Sequence, residues 1–227
     1  MHRYYQKNLK KWHKTLNSYM NYISYELESL TGQSYDTLIQ EIWTNYQDEM
    51  LERFPYIGGD AASGTKNLIG AYMFVSMGEV LKKYGVTTAQ SGHLMILIYE
   101  RQFKKIPSFL RSIMGKIFTN PRFLTKIFLK KDRKNALNAA QNPPEKGYDF
   151  SYHNLVCPLV DFAKKYGYEE YMPYLCNLDY VMFGILGAPL YREHTCFDDD
   201  YCDFKLKLSA KPMDYDPPVF TQGNGYK

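Results

Sequence analysis

The sequence predicts an α+β fold, in which a mainly helical N-terminal two thirds packs on a small antiparallel sheet with a C-terminal hairpin. Apolar residues recur at three- and four-residue spacing through most of the first part, which is typical of amphipathic helices. After Pro143-Pro144, short strand-like runs alternate with short helical ones. The chain has 227 residues, 45% of them hydrophobic. This is enough to bury one sizeable core, and the chain is short for a second full domain.

We therefore expect a single domain over residues 1–227. It comprises a mainly helical part at 1–140, a motif-bearing α+β part at 147–208 and an irregular tail at 209–227. The first residues lack the apolar run of a secretory signal, and no uncharged run approaches the ~20 residues that cross a bilayer. With four cysteines and no such signal, we expect a cytoplasmic protein with reduced thiols.

Three helices are predicted before residue 85. Apolar and aromatic positions recur from about Leu9 to Leu30, and again from Tyr35 to Phe54 after the helix breaker Thr31-Gly32. Pro55 ends the second helix. A third helix is expected from about Lys66 to Tyr84.

A glycine-rich segment, residues 58–66, precedes the third helix. A phosphate-binding loop needs a strand before it and the order Gly-Lys-Ser/Thr, whereas here a helix precedes and the order is Gly64-Thr65-Lys66. We interpret the segment as a turn that caps the helix. Anion binding by its backbone N–H groups is the alternative.

Residues 101–134 carry eleven Lys or Arg and one acid, although the net charge of the whole chain is only +4. Apolar side chains recur there at helical spacing, broken near Asn120-Pro121. One interpretation is peripheral contact with an anionic membrane surface or an acidic partner. We favour a pair of helices whose apolar stripe packs on the core, because most amphipathic helices of soluble chains do so. No nucleic-acid-binding signature accompanies the charge, so nucleic acid is not expected as a partner.

A strand and a helix open the motif-bearing part. Aromatic and polar side chains alternate from Gly147 to His153, which predicts a strand. Pro158 and Gly167 then frame a helix from Pro158 to Tyr166. Cys157 lies at the N-cap of this helix, where the dipole and the free N–H groups lower the pKa of a thiol. A reactive thiolate and a small packed residue both remain open for Cys157.

A further helix is predicted from Pro173 to about Gly187. Cys176 lies in its first turn, and Asp179, three residues on, lies on the same face. Such a pair suits a nucleophile with a nearby base, or half of a metal site. A core cysteine beside a carboxylate that caps a helix or pairs with a cation is the alternative.

A hairpin is predicted at the end of the domain, with strands at Leu190 to Phe197 and Tyr201 to Leu208. Its turn, Asp198-Asp199-Asp200, is read as an exposed acidic turn, because a cation site would need a fuller set of ligands. A three-residue loop sets Phe197 opposite Tyr201, Glu193 opposite Lys205 and Thr195 opposite Asp203.

The other face of the predicted hairpin is apolar except for Arg192 and His194. It carries Leu190, Arg192, His194 and Cys196 against Cys202, Phe204, Leu206 and Leu208. A guanidinium among apolar side chains usually has an anionic partner, from the fold or from a ligand. Cys196 opposite Cys202 would allow a disulfide under oxidation, but a reduced pair is expected in a cytoplasm.

Four motifs follow one another in the last third of the chain. They are Cys157-Pro158, Tyr174-Leu175-Cys176-Asn177-Leu178-Asp179, Arg192-Glu193-His194-Thr195 and Cys202-Asp203-Phe204. In this order and at these intervals they resemble the L-2-amino-thiazoline-4-carboxylic acid hydrolase family. The resemblance covers roughly Tyr148 to Leu208, and Gly58-Gly59 followed by Asn67 is a further partial match upstream. Each motif alone is weak, and the set is fairly specific.

The resemblance implies a bacterial cytoplasmic hydrolase of cysteine metabolism. Such an enzyme acts on a carbon–nitrogen bond of a cyclic amidine and opens the ring with water to a carbamoyl-cysteine. The chain departs from the family pattern at Cys196 to Asp200, where a glycine-containing turn is more usual. A sibling enzyme on another sulfur or nitrogen heterocycle is therefore one alternative, and a non-catalytic small-molecule sensor domain is another.

Opening such a ring needs a nucleophile or water at the amidine carbon, a proton for the departing atom and an anchor for the substrate carboxylate. Arg192 is the expected anchor, because its planar fork suits a bidentate pair. The candidates for nucleophile or metal ligand are Cys176, then Cys157 and Cys202. The candidates for acid or base are Asp179 and Asp203, with His153 as a further proton carrier. The expected substrate-binding residues are Thr195, His194 and Asn67.

Two points stay open in this candidate site. No cofactor is certain; a divalent metal is an alternative, although no two cysteines have the spacing of a zinc knuckle. The predicted register also sets Asp203 and Thr195 on the face opposite Arg192 and Cys202. Both sets line one pocket only if a strand carries a bulge or wraps an edge.

Overall fold

The computed structural model describes residues 1–120, 139–140 and 144–212. Within them the chain is mainly helical with a small antiparallel sheet, as predicted. The helices are α1 (Arg3–Lys7), α2 (Leu9–Met20), α3 (Ser24–Thr31), α4 (Tyr35–Asn45), α5 (Ser63–Lys82), α6 (Thr88–Lys104), α7 (Ser108–Phe118), α8 (Pro158–Tyr166) and α9 (Met172–Ile185); the strands are β1 (Ala139–Ala140), β2 (Phe150–Asn154), β3 (Leu190–Tyr191) and β4 (Cys202–Leu206).

The first two predicted helices are present with internal changes of geometry. A 3₁₀ turn, Asn21–Ile23, separates α2 from α3, and Gly32 ends α3 in the left-handed conformation. After α4 the chain continues as a π-helix, Tyr46–Leu51, which turns three of its side chains into the core. The Ser34 side chain caps α4 by accepting a hydrogen bond from the N–H of Thr37.

Helix α5 is the central helix of the molecule. It is apolar on nearly all sides and packs against α4, α6 and α8, so its burial is the one expected for an all-apolar helix. It begins three residues before the predicted Lys66. Helix α6 begins with a capping box between Thr87 and Gln90, and it packs along α9, where Gly92 lies against the ring of Tyr174.

The part of the apolar stripe that α7 carries does not pack on the core, whereas Phe103 at the end of α6 packs on Tyr99. Helix α6 ends before Pro107, and α7 leaves four of its large apolar side chains exposed: Phe109, Leu110, Ile113 and Ile117. The interpretation favoured from the sequence, a core-facing stripe, is therefore wrong for α7. The rest of the segment, residues 121–134, and the predicted break at Pro121 lie outside the described residues.

The sheet is antiparallel with the strand order β1-β2-β4-β3. The C-terminal hairpin is present, but its first strand ends at Tyr191 instead of Phe197. Leu190 pairs with Leu206, which is two residues from the predicted register. The physical reason is Asp203, whose carboxylate accepts hydrogen bonds from the N–H groups of Glu193 and His194. These donors are therefore lost to a longer strand ladder, and residues 192–201 form a loop.

Two apolar clusters form the interior. The larger lies among the helices, and the smaller joins β2, β3 and β4 to one side of α9. Helix α9 contributes to both, with Leu178 and Val181 in the first and Tyr180 and Phe183 in the second. None of the helices described is long and apolar enough to cross a bilayer.

Candidate functional site

A cavity of about 530 Å³ lies where α5, α8 and α9 meet the sheet. Most of its wall is apolar or aromatic. Its chemically active side chains are Cys157, Cys176, Asp179, Arg192 and Cys202. A largely apolar cavity with a few convergent polar groups is the usual form of a small-molecule site.

Each of these side chains is positioned by the start of an element or by helical spacing. Cys157 is the N-cap of α8, and Cys202 is the first residue of β4. Cys176 and Asp179 lie one turn apart on α9, as predicted, and both reach the cavity. Arg192 follows β3 directly, and its side chain points to the same face of the sheet as Cys202.

Arg192 brings a buried positive charge to the cavity wall. Its side chain is only 1% exposed, and its Nη2 donates to Asp179 Oδ2 at 2.7 Å. The guanidinium lies 4.2 Å from the ring centroid of Phe204. Burial opposes its charge, but the nearby Cys202 and Asp179 hold the pKa of Arg192 above its ordinary value. Its Nε is buried and has no hydrogen-bond partner among the described residues.

Cys202 is the thiol with the strongest tendency to ionise. The neighbouring Cys196 thiol and the positive charge of Arg192 outweigh burial and lower the pKa of Cys202 to about 7. The same pairing of thiols, together with burial, raises the pKa of Cys196. Of the two sulfurs, that of Cys202 therefore ionises more readily, and Cys196 is the protonated partner.

Burial decides between the two interpretations left open for Cys157. The N–H groups of Leu159 and Val160 do favour its thiolate, as expected at a helix N-terminus. Burial is the larger effect and raises the pKa of Cys157 to about 11. This favours the small packed residue over the reactive thiolate.

Three predicted site residues lie away from the cavity. Asp203 faces the other side of the sheet, where it pairs with Lys205 at 3.0 Å and holds the 192–201 loop. Thr195 donates to Asp198 in that loop. The His194 ring lies beside Asp199 and Tyr201. The loop does not wrap the edge of the sheet, so the two sets of predicted residues stay on opposite faces.

His153, the reserve proton carrier, also lies on the face opposite the cavity. It pairs in register with Asp203, and its ring lies 4.6 Å from that of Tyr201. The acidic turn, residues 198–200, is likewise absent from the cavity wall that the structure describes. The three aspartates therefore do not line the described wall, whereas Cys196, which belongs to the same departure from the family pattern, packs on the cluster that contains Cys202.

Asn67 lies on the wall with the neighbouring Lys66, both exposed near the start of α5. Gly64 in the same turn approaches the α8 N-terminus so closely that a Cβ would lie 3.1 Å from Pro158 Cγ. The glycine thus permits a close approach between two helices. Close packing of the two helices therefore accounts for the glycine at this position without a phosphate-binding loop.

Sequence reasoning missed the apolar part of the wall. Met182 and Phe183 of α9 line the cavity, and their spacing from Cys176 and Asp179 on one helix was the signal available. Phe118 and Tyr152 carry no such signal, because only the tertiary fold brings α7 and β2 to this place. Among the described residues no group of three or more His, Cys, Asp or Glu is placed to hold a metal ion.

The comparison with protein families gives a match over much of the chain. A family model described as L-2-amino-thiazoline-4-carboxylic acid hydrolase matches residues 71–206, which is more than half of the chain. The matched range includes all five chemically active residues of the wall and begins after Lys66 and Asn67. No curated protein and no solved structure matches the chain.

Proposed function

The chain belongs to the L-2-amino-thiazoline-4-carboxylic acid hydrolase family, and from this premise we propose that it opens a 2-amino-thiazoline-4-carboxylate-like ring with water to give a carbamoyl-cysteine. One observation carries the proposal. The cavity brings a thiolate, Cys202, together with a carboxylate, Asp179, that is held by a buried guanidinium, Arg192. These are the groups that addition to an amidine carbon requires.

We propose Cys202 as the nucleophile in preference to Cys176. Both thiols reach the cavity, but Cys202 has the lowered pKa and the adjacent Arg192. Its sulfur bonds to the ring carbon that carries the amino group, and a ring bond from that carbon breaks. The departing ring atom takes a proton from solvent. Water then bonds to the same carbon, the bond to Cys202 breaks, and Asp179 accepts the proton that the water loses.

The substrate carboxylate calls for a different anchor from the one expected. Arg192 is only 1% exposed and already engages Asp179, which favours a positioning role toward Asp179 and Cys202. Lys66 and Asn67 are exposed on the cavity wall. A lysine ammonium and an amide N–H₂ at that place suit a ligand carboxylate. We therefore assign the anchor to Lys66 and Asn67.

Mass spectrometry of the protein with L-2-amino-thiazoline-4-carboxylate tests the reaction, with and without a chelator. The expected result is a product heavier by one water. A thiol reagent then identifies the broken bond, because cleavage of the carbon–sulfur bond releases a free thiol and cleavage of the carbon–nitrogen bond does not. Chelator sensitivity would contradict the thiol mechanism and favour a metal.

Two variants sharpen this test. Cys202→Ser is expected to lose at least a hundredfold in turnover, because a serine hydroxyl is not ionised at neutral pH, whereas the matched variant Cys176→Ser retains most of it. Turnover that survives in Cys202→Ser and falls in Cys176→Ser would contradict the assignment. Ligand-induced thermal stabilisation without any product would favour the sensor domain, and a product only from other heterocycles would favour the sibling enzyme.

A further inference from the structure

Cys196 is a second thiol beside Cys202, and the ring-opening mechanism gives it no role. Cys196 lies in the 192–201 loop and packs on the apolar cluster that contains Cys202. Its thiol donates to the backbone oxygen of Asn154 at 3.3 Å, and Asn154 is the residue that pairs with Cys202 across β2 and β4. The two thiols also interact, since each shifts the pKa of the other. The 192–201 loop, the pairing of β2 with β4 and the smaller apolar cluster thus hold the thiol of Cys196 beside Cys202.

We propose that Cys202 is a site of reversible oxidation by hydrogen peroxide and that Cys196 is its resolving thiol. Peroxide reaches Cys202 through the cavity, whose wall includes this residue. The ionised sulfur of Cys202 and its protonated neighbour have the properties of redox-sensitive cysteine pairs.

Both steps balance in atoms and electrons. In the first, the Cys202 sulfur attacks one peroxide oxygen, the O–O bond breaks and hydroxide leaves, so Cys202 is oxidised to a sulfenic acid and the peroxide is reduced. In the second, the Cys196 sulfur attacks that of Cys202. The S–S bond forms, the S–O bond breaks, and the hydroxyl leaves as water with the proton of Cys196.

Cys157 and Cys176 provide the contrast. Both line the same cavity, so peroxide that enters it also reaches them. Burial raises the pKa of Cys157 to about 11, which keeps its sulfur protonated and slow to react. Cys157 and Cys176 therefore serve as internal controls for the selectivity of oxidation at Cys202.

Peptide mapping of the reduced protein after stoichiometric hydrogen peroxide tests the proposal. The expected product is a disulfide-linked pair of peptides that contain Cys196 and Cys202, reversed by dithiothreitol. A disulfide between Cys157 and Cys176, or four free thiols after treatment, would overturn it. This readout needs no substrate, so it stands or fails apart from the ring-opening proposal.

Two variants separate the oxidised residue from the resolving one. In Cys196→Ser the Cys202 sulfenic acid is expected to persist and to be trapped by dimedone. Cys176→Ser, the matched control, is expected to form the disulfide as the wild type does. Loss of the ring-opening activity on oxidation, and its recovery on reduction, is a consequence that rests on the proposed function.

A second inference comes from α7 and is independent of the cavity. The inner face of this helix is fixed to the body, because Gly115 lies against the backbone oxygen of Leu186 and Phe118 packs edge-on against Phe183. Its outer face exposes Phe109 at 64% and Ile113 at 49%. Four large apolar side chains exposed on one eleven-residue helix are more than scattered surface residues require.

The charge around α7 points to the occupant of this face. Helix α7 carries two cations, Arg111 and Lys116, and no Asp or Glu, and Lys116 borders the apolar stripe on the helix surface. The preceding Arg101 and Lys104 already pair with Glu26 and Glu100. An apolar stripe flanked by cations suits the headgroup boundary of an anionic bilayer. We propose that the outer face of α7 binds an anionic phospholipid surface.

Co-sedimentation with vesicles tests this second proposal. Binding is expected to vesicles that contain phosphatidylglycerol and not to pure phosphatidylcholine, and it is expected to fall at least tenfold in the double variant Phe109→Ser/Ile113→Ser. Tyr25→Ser removes an equally exposed aromatic residue from α3 and is expected to bind as the wild type does. Equal binding by all variants, or a concentration-dependent dimer that the double variant abolishes, would overturn the proposal.

Discussion

Three cysteines on one cavity wall differ in chemistry because their neighbours differ. Cys202 has a neighbouring thiol, Cys196, and a cation, Arg192, and its pKa falls to about 7. Cys157 has helix N–H groups, but burial is the larger effect, and its pKa rises to about 11. A specific partner therefore decides which thiol ionises, and the position of a cysteine in the sequence motif does not.

The first prediction concerns the pH dependence of turnover. Because the thiolate is the reactive form and its pKa is about 7, kcat/KM is expected to rise with pH through about 7 and to level off above it. Initial rates measured across this range check the expectation. Cys157→Ser is the control and should keep the same profile, since burial raises the pKa of the Cys157 thiol to about 11, far from neutral pH. A profile that does not change across neutral pH would contradict the role of Cys202.

The second prediction concerns Asp203. Asp203→Asn is expected to destabilise the protein by about 3 kcal/mol, because it leaves the buried Lys205 without its closest enclosed partner. Urea unfolding measures the change, and Asp200→Asn in the exposed turn is the control with little effect. Retention of full stability in Asp203→Asn would contradict the structural role.

The same carboxylate gives a pH dependence with a definite sign. Although burial opposes it, hydrogen bonds from His194, Lys205 and Glu193 lower the pKa of Asp203 in the folded state. Its stabilising contribution is therefore present above the unfolded value of about 3.9 and is lost as the pH falls through the lowered folded value. The difference in stability between wild type and Asp203→Asn should shrink in that acidic range.

At the scale of elements, close backbone contacts decide how the helices meet. Gly92 of α6 lies against Tyr174 of α9, and Gly115 of α7 lies against the backbone after α9. A side-chain neighbour can rotate away from an added methyl group, whereas a backbone carbonyl cannot. Gly115 is therefore the less tolerant of the two positions.

The third prediction follows from this contact. Gly115→Ala is expected to destabilise the protein by about 1–3 kcal/mol, because its Cβ would lie 2.3 Å from the oxygen of Leu186. Gly70→Ala, in α5 with nothing within 4 Å of the added Cβ, should stabilise by about 1 kcal/mol through helix propensity. Thermal unfolding of both variants measures the contrast, and an equal effect would contradict the close packing of α7.

At the scale of the molecule, the cavity lies between two apolar clusters that α9 connects. A ligand in the cavity contacts the helical part through α5 and α8 and the sheet through β4. Because such a ligand binds only when both parts are folded, its binding energy adds to the stability of the whole domain.

The fourth prediction is the size of that stabilisation. A carbamoyl-cysteine product present at about 100 times its Kd is expected to add about 2.7 kcal/mol, which corresponds to a rise in Tm of about 5–10 °C for a chain of this size. Differential scanning fluorimetry measures it. A double variant, Lys66→Ala/Asn67→Ala, should reduce the shift if these residues hold the carboxylate. An unchanged shift would contradict that anchor.

The sequence by itself determined the helices before residue 85, helices α8 and α9, and the pairing of Cys176 with Asp179 on one face, whereas α6 and its end before Pro107 were not predicted. The predicted features depend on residues three or four positions apart and on local breakers such as Gly32 and Gly167, so they are readable from the chain alone. The C-terminal hairpin and the face shared by Arg192 and Cys202 were also readable, because alternation along a strand has a period of two.

Only the tertiary structure decided which candidates share a cavity and in which state they are. Asp203 ends the first hairpin strand by taking backbone hydrogen bonds from residues about ten positions away, and no local pattern records that competition. The ionisation of Cys157 and Cys202 depends on burial and on charges supplied by other elements. The exposure of the α7 stripe likewise depends on which face Gly115 turns to the body, since periodicity identifies an apolar face without identifying what covers it.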